Sequence, residues 1–183
     1  DSAAIWEALQ SGVVDMIATD HAPHTPEEKT NEIIWNADCG FPGVETQMPL
    51  MLTEVAAGRM TLEHYVSISS ANPARAFGMW PNKGRIAVGA LADIAALNMT
   101  REEVIGASRL HSRGKITPFE GRKTVGAPVH TIVRGAFVQR DRQMVEGMAG
   151  HGRQVTDIQK MPTAKPQNVD QSLSQIIGDR GTT

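Results

Sequence analysis

A carboxylate and two imidazoles fall close together in Ala18-Thr19-Asp20-His21-Ala22-Pro23-His24-Thr25, directly after the apolar run Val13-Val14-Asp15-Met16-Ile17. A run of β-branched residues ending abruptly in Asp, His, Pro and His reads as a buried strand that delivers polar side chains at its carboxyl end, where α/β barrels place their chemistry. Ionised carboxylate and neutral imidazole are good zinc ligands, and both move protons near neutral pH. The candidate chemistry is therefore metal binding or proton transfer by Asp20 and His24. On spacing alone an Asp-His pair at a strand end is about four times as often a turn or a satisfied hydrogen bond.

The elements that must position these residues follow from periodicity. Ala4, Ile5, Ala8 and Leu9 recur at helical spacing up to a stop at Gly12, and with a strand over 13–18 they form a helix-to-strand unit. The stretch 38–46 carries Gly40, Pro42 and Gly43, and glycine lets backbone N–H groups approach a ligand. From Val44 to Ala57 the apolar residues repeat every three or four positions, with Pro49 expected near the first turn and Gly58 at the end. Thr61 is the expected N-cap of a helix to Ser69, and Asn72 that of a short helix opened by Pro73. Beyond Trp80 short apolar runs alternate with glycine, which predicts strands over 85–88, 93–97, 130–133 and 136–138.

The segment Ala18 to Lys29, ATDHAPHTPEEK, resembles the signature at the end of the last barrel strand in dihydroorotases, cyclic amidohydrolases of the amidohydrolase superfamily. The resemblance implies a (β/α)8 TIM barrel beside a small β-sandwich, and a metal-dependent hydrolase of a cyclic amide. By position, Asp20 matches the aspartate that ligates the metal and serves as general base. His24 matches the histidine that holds the substrate's carboxylate. In Ala37-Asp38-Cys39-Gly40-Phe41-Pro42-Gly43-Val44-Glu45-Thr46, Gly40 matches a glycine that contacts substrate through its main chain. Asp38 and Cys39 depart from the commoner Pro-Phe of the family, so Cys39 is a pocket-lining, substrate-binding candidate that bears on substrate choice. The strings at 70–78, 83–94 and 117–135 resemble the end of the barrel and the return to the sandwich.

The implied cofactor is zinc, one or two ions in the complete enzyme, with an attacking water whose proton passes to Asp20 and on to the leaving amide nitrogen. The family's remaining ligands, a His-x-His, a carboxylated lysine and two further histidines, belong to an upstream part of such enzymes. On this reading the chain is the carboxyl-terminal part of a larger enzyme, because a whole barrel needs about 250 residues. The expected divisions are 1–80 for the end of the barrel, 81–155 for the sandwich and 156–183 for a polar, extended tail. The most direct activity is interconversion of dihydroorotate and N-carbamoyl-aspartate in pyrimidine biosynthesis. The rivals are a hydantoinase, dihydropyrimidinase or allantoinase, and a catalytically silent scaffold.

Composition bounds the partners. The 183 residues are 40% hydrophobic and 21% charged with a net charge of -2, which gives no electrostatic case for nucleic acid. No apolar run approaches the ~20 residues that span a bilayer, so a membrane partner is not expected and a cytoplasmic location is the default. A small-molecule cyclic amide is the expected partner, and homo-oligomerisation stays open. Cys39 is the sole cysteine, so no internal disulfide forms. Asp93, at a strand entrance, reads as a structural turn residue, and His111 and His130 lack the neighbouring ligands of a second metal site.

Overall fold

Helix α1 (Ser2–Gln10) buries Leu9 and ends where the periodicity expects, with Ser11 N–H bonded to the Glu7 carbonyl and Gly12 at φ +78°. The computed structural model describes residues 1–155, so the expected tail over 156–183 lies outside the described residues. Residues 13–19 run on from α1 without pairing into a sheet. A strand exists only where a second lies beside it, and among the described residues none does. The segment is held instead by the Ile17 N–H bond to the Ile68 carbonyl and by Val14 and Ile17 packing on the core.

The short α2 (Pro26–Lys29) follows, and then α3 (Val44–Ala56), the longest helix among the described residues. Pro49 sits well inside α3 rather than in its first turn, so the Glu45 carbonyl loses its usual N–H partner four residues on. Thr53 reinforces that region by donating its hydroxyl to the Pro49 carbonyl at 2.7 Å, while accepting the Val125 N–H at 2.9 Å. One side chain thus links the helix to the sheet.

Thr61 caps α4 (Leu62–Val66) as expected, its hydroxyl accepting the His64 N–H at 3.1 Å. The next two elements differ from the sequence reading. A π-helical turn, Ser67–Ala71, runs straight into α5 (Asn72–Ala76), so Asn72 has helical backbone angles and is no N-cap. Pro73 has no N–H and its ring would crowd the carbonyl four residues back; the wider turn accommodates both. The Asn72 side chain donates to the Asp15 carbonyl at 2.8 Å instead, tying this helix to the segment that leads to Asp20.

Four antiparallel strands, β1 (Ile94–Val104), β2 (Lys123–Val133), β3 (Ala136–Arg140) and β4 (Gln143–Met144), form one sheet in chain order. Arg134 and Gly135, both at positive φ, make the two-residue hairpin between β2 and β3. The expected strand over 85–88 is a turn region whose Ile86 and Val88 are exposed; no strand of the described sheet pairs with it. Asp93 has the structural role expected of it, paired with Lys83 and accepting the Arg134 N–H at 2.7 Å.

The core draws on both sides of residue 80: Leu9, Leu52, Met60, Tyr65 and Ile68, with Leu97 and Met99 of β1 packed against them. Helix α3 reaches the sheet because Gly126, at φ +93° where the β1–β2 register shifts, leaves room for the fully buried Leu52. A Cβ at Gly126 would stand 2.7 Å from that of Leu52. Gly126→Ala is expected to cost roughly 2–4 kcal/mol, from the left-handed backbone plus overpacking. Chemical denaturation measures it; a cost near zero would contradict this account of the helix–sheet contact.

Candidate functional site

Asp20 follows the unpaired segment over 13–19, and it turns the chain with φ +44°. Left-handed angles are uncommon outside glycine, though aspartate tolerates them, and they persist where the surroundings fix them. Its carboxylate is exposed and has no hydrogen-bond or ion-pair partner among the described residues. Without an internal partner, it is available as a ligand or a proton acceptor.

The loop after Asp20 is braced by the loop over 38–43. The Ala22 N–H bonds to the Phe41 carbonyl at 3.1 Å, the Asp38 N–H bonds to the Glu28 carbonyl at 3.1 Å, and Lys29 Nζ donates to the carbonyls of Asp38 and Gly40 at 3.0 and 2.6 Å. Gly40, at φ +96°, lies so close that a Cβ there would be 2.5 Å from that of Ala22. A Cβ on Gly43 would stand 2.9 Å from the Thr19 Cβ. Both glycines are therefore required by close approach of the two loops. His21 closes the joint: its Nδ1 accepts the N–H groups of Gly43 and Val44 at 3.1 and 3.2 Å, capping α3, whose N-cap Gly43 has no side chain.

His24 is one-third exposed, and its Nδ1 lies 3.5 Å from Glu28 Oε2 and 3.4 Å from Asp38 Oδ2. Glu28 in turn belongs to a capping box with Thr25, whose N–H reaches Oε2 at 2.8 Å. Arg113 Nη2 donates to both Glu28 oxygens at 2.8 and 2.9 Å. The Thr25 N–H foremost, then the charges of Arg113 and His24 against some desolvation, hold Glu28 below its ordinary pKa.

A third segment completes the arrangement. The residues following a short 3-10 turn, Ala107–Arg109, lie against the site loops. Glu45 accepts the N–H groups of His111 and Ser112, the His111 ring Nδ1 at 2.8 Å and the Ser112 hydroxyl at 3.0 Å. Gly114 packs on the loop itself, where a Cβ would meet the His24 carbonyl oxygen at 2.4 Å.

The structure thus carries Asp20 and His24 on one loop and Gly40 on the loop that braces it. Cys39 is exposed on the same loop, its Sγ 3.9 Å from the Ala37 carbonyl oxygen. His111 and His130 engage Glu45 and the Asp141 N–H respectively. Sequence reading assigned no role to His21 or Arg113 and left Glu28 open between a solvated loop and a direct role. The pattern Thr25-x-x-Glu28 is a legible capping box; Arg113, 85 residues from Glu28, carries no local signal. Two grooves of about 390 and 470 Å³ flank α3, and neither is lined by Asp20, His24 or Gly40.

A catalytic zinc centre takes about three protein ligands. Asp20 fits as one of them, being an exposed carboxylate with no partner among the described residues. His24, Glu28 and Asp38 place ligand atoms within 4.8 Å of one another and could hold a cation, although Glu28 already serves Thr25 and Arg113.

This mixed α/β chain thus presents carboxylates and an imidazole, groups that bind cations and move protons, on loops braced by glycines. Comparison with known proteins makes the assignment specific. The Amidohydrolase family matches residues 1–138. A dihydroorotase of Methanosphaera stadtmanae is 45% identical over 130 residues, 71% of this chain and 30% of that protein. An L-hydantoinase of Paenarthrobacter aurescens is 38% identical over 156 residues, 83% of this chain and 34% of that protein. Among solved structures, the dihydropyrimidinase of Brevibacillus agri superposes with a TM-score of 0.75 at 33% identity, covering 78% of this chain and 32% of that one. The chain belongs to the amidohydrolase family. It spans about a third of the length of these relatives. Among the described residues no helix is long and apolar enough to cross a membrane.

The Glu45 cluster generates a pH prediction. Partial burial works against its charge, but hydrogen bonds from the backbone and side chains of His111 and Ser112 outweigh it and lower the pKa from 4.5 to about 2. The folded-state pKa is depressed, so the stabilisation is present above pH 4.5 and is lost as pH falls toward about 2. Glu45→Gln is expected to lower stability at neutral pH and to remove that part of the acid limb. Denaturation midpoints measured across this range check it; an unchanged acid limb would contradict the assignment.

Proposed function

We propose that this chain is part of a longer metal-dependent amidohydrolase that opens and closes a cyclic amide, most closely of the dihydroorotase type. The observation that carries the reading is the pairing, on one braced loop, of an unpartnered carboxylate at a left-handed turn with an imidazole whose Nδ1 faces two carboxylates. The 45% identity to a dihydroorotase supports the same reading. In this reading residues 13–18 are the last strand of a (β/α)8 barrel, and residues 81–155 belong to the accompanying sandwich.

Asp20 is both a metal ligand and the general base. When bound, the metal, zinc by family analogy, supplies a polarised ring carbonyl and a more acidic water. Asp20 accepts the proton of the attacking water and delivers it to the ring nitrogen as the carbon–nitrogen bond breaks; in the reverse direction it takes that proton from the amide as the ring closes. His24 binds the acid substituent of the substrate, with Nδ1 turned to Glu28 and Asp38 and Nε2 left for the ligand. Gly40 offers main-chain hydrogen bonds, and Cys39 lines the pocket. The substrate is a small cyclic amide bearing a carboxylate, as in dihydroorotate.

A second reading, a hydantoinase or dihydropyrimidinase, is favoured by the solved structures, which carry those names at 33% identity or above in the dihydropyrimidinase and L-hydantoinase cases. It differs in the substrate's substituent rather than in the role of Asp20. Turnover of dihydroorotate and of hydantoin by the full-length protein separates the two, with preference for dihydroorotate expected. Asp20→Ala is expected to reduce turnover at least ~10-fold, the scale of a lost general base, with the fold intact by circular dichroism. Retention of more than about a tenth of the wild-type rate would overturn the general-base role.

A further inference from the structure

We propose that Arg113, from the segment between β1 and β2, is a positioning residue for His24 that acts through Glu28 and sets the affinity for acid-bearing cyclic amides. The inference rests on the reading of His24 as the group that holds the substrate's carboxylate. Arg113 is 65% exposed, and an exposed ion pair alone contributes little. Here, however, the backbone on both sides of it is fixed. Before it, His111 and Ser112 are tied to Glu45 at the start of α3. After it, Gly114 packs against the carbonyl of His24 itself, at a separation that excludes any side chain. Arg113 is thus delivered to Glu28 by a segment already docked on the site loop, with little conformational freedom left to lose.

Glu28 is the hinge of the arrangement. Its Oε2 accepts the Thr25 N–H, faces His24 Nδ1 and shares the Arg113 Nη2 with Oε1. Arg113 therefore fixes the carboxylate that orients the His24 ring. It also offsets the negative charge that Glu28 and Asp38 together place beside an anion-binding imidazole. Without Arg113 the ring is less well oriented and the site more negative, and both effects weaken binding of a carboxylate while leaving a neutral ring untouched. Because one nitrogen serves both Glu28 oxygens, an ammonium can replace the guanidinium.

The test uses the full-length enzyme with dihydroorotate and unsubstituted hydantoin, which lacks the carboxylate. Arg113→Met is expected to raise the KM for dihydroorotate relative to that for hydantoin by ~5–10-fold, and Arg113→Lys to restore the ratio to within about twofold. Glu28→Gln keeps an oxygen for the Thr25 N–H but removes the charge; if Arg113 acts through Glu28, the double variant shifts the ratio no more than the larger single change. Equal losses on both substrates would show a merely structural loop contact and overturn the proposal, as would fully additive effects. His24→Ala is the control: a shifted ratio in it with none in Arg113→Met refutes the positioning role alone, whereas an unshifted ratio in His24→Ala refutes the assignment of His24 on which the proposal stands.

Discussion

The site depends on how closely two backbones approach each other. Gly40 against Ala22 and Gly43 against Thr19 leave no room for a Cβ, and that contact lets the 38–43 loop hydrogen-bond to the loop that begins at Asp20. Once the loops are joined, His21 lies within reach of the first N–H groups of α3 and caps it. The helix then carries Glu45 to the segment over 111–114, and Leu52 to Gly126 of the sheet. A helix start, a loop pair and a helix–sheet contact are consequences of the same missing side chains.

Asp20 differs from its neighbours in how its polar group is used. Several charged groups of the bracing segments have an internal partner: Glu28 with Thr25 and Arg113, Glu45 with His111 and Ser112, Lys29 with two carbonyls. The Asp20 carboxylate is exposed on a residue held at φ +44°. A turn made only to reverse the chain would be less costly with glycine. An aspartate held in that conformation carries a local backbone cost that glycine would avoid.

Much of this was legible in the sequence where the signal is local. The α3 periodicity, the Thr61 cap, the Gly12 and Gly58 stops and the strands after Asp93 and around His130 all appear near their expected places. What failed was non-local or depended on a neighbour. The runs at 13–18 and 85–88 have strand composition, yet strand geometry needs a pairing partner, and among the described residues neither has one. Asn72-Pro73 looks like a cap followed by proline, but a π turn passes the helix through it, so tertiary packing overrode the local preference. In the site, Asp20, His24 and Gly40 were singled out by the resemblance of their segments to dihydroorotase signatures, since spacing alone favours an ordinary turn. Arg113 and Gly114 were not, because their importance comes only from the chain folding them back across some 85–90 residues onto Glu28 and His24.

The central claim is a division of labour on one loop: Asp20 faces the cation, and His24, backed by carboxylates, faces the substrate's acid group. The most direct measurement is anomalous diffraction at the zinc edge from crystals of the full-length protein with metal and an acid-bearing cyclic amide bound. The account predicts a metal peak about 2.0–2.2 Å from an Asp20 carboxylate oxygen and the ligand's carboxylate against His24. A peak seated instead among His24, Glu28 and Asp38, with Asp20 left unligated, would contradict it.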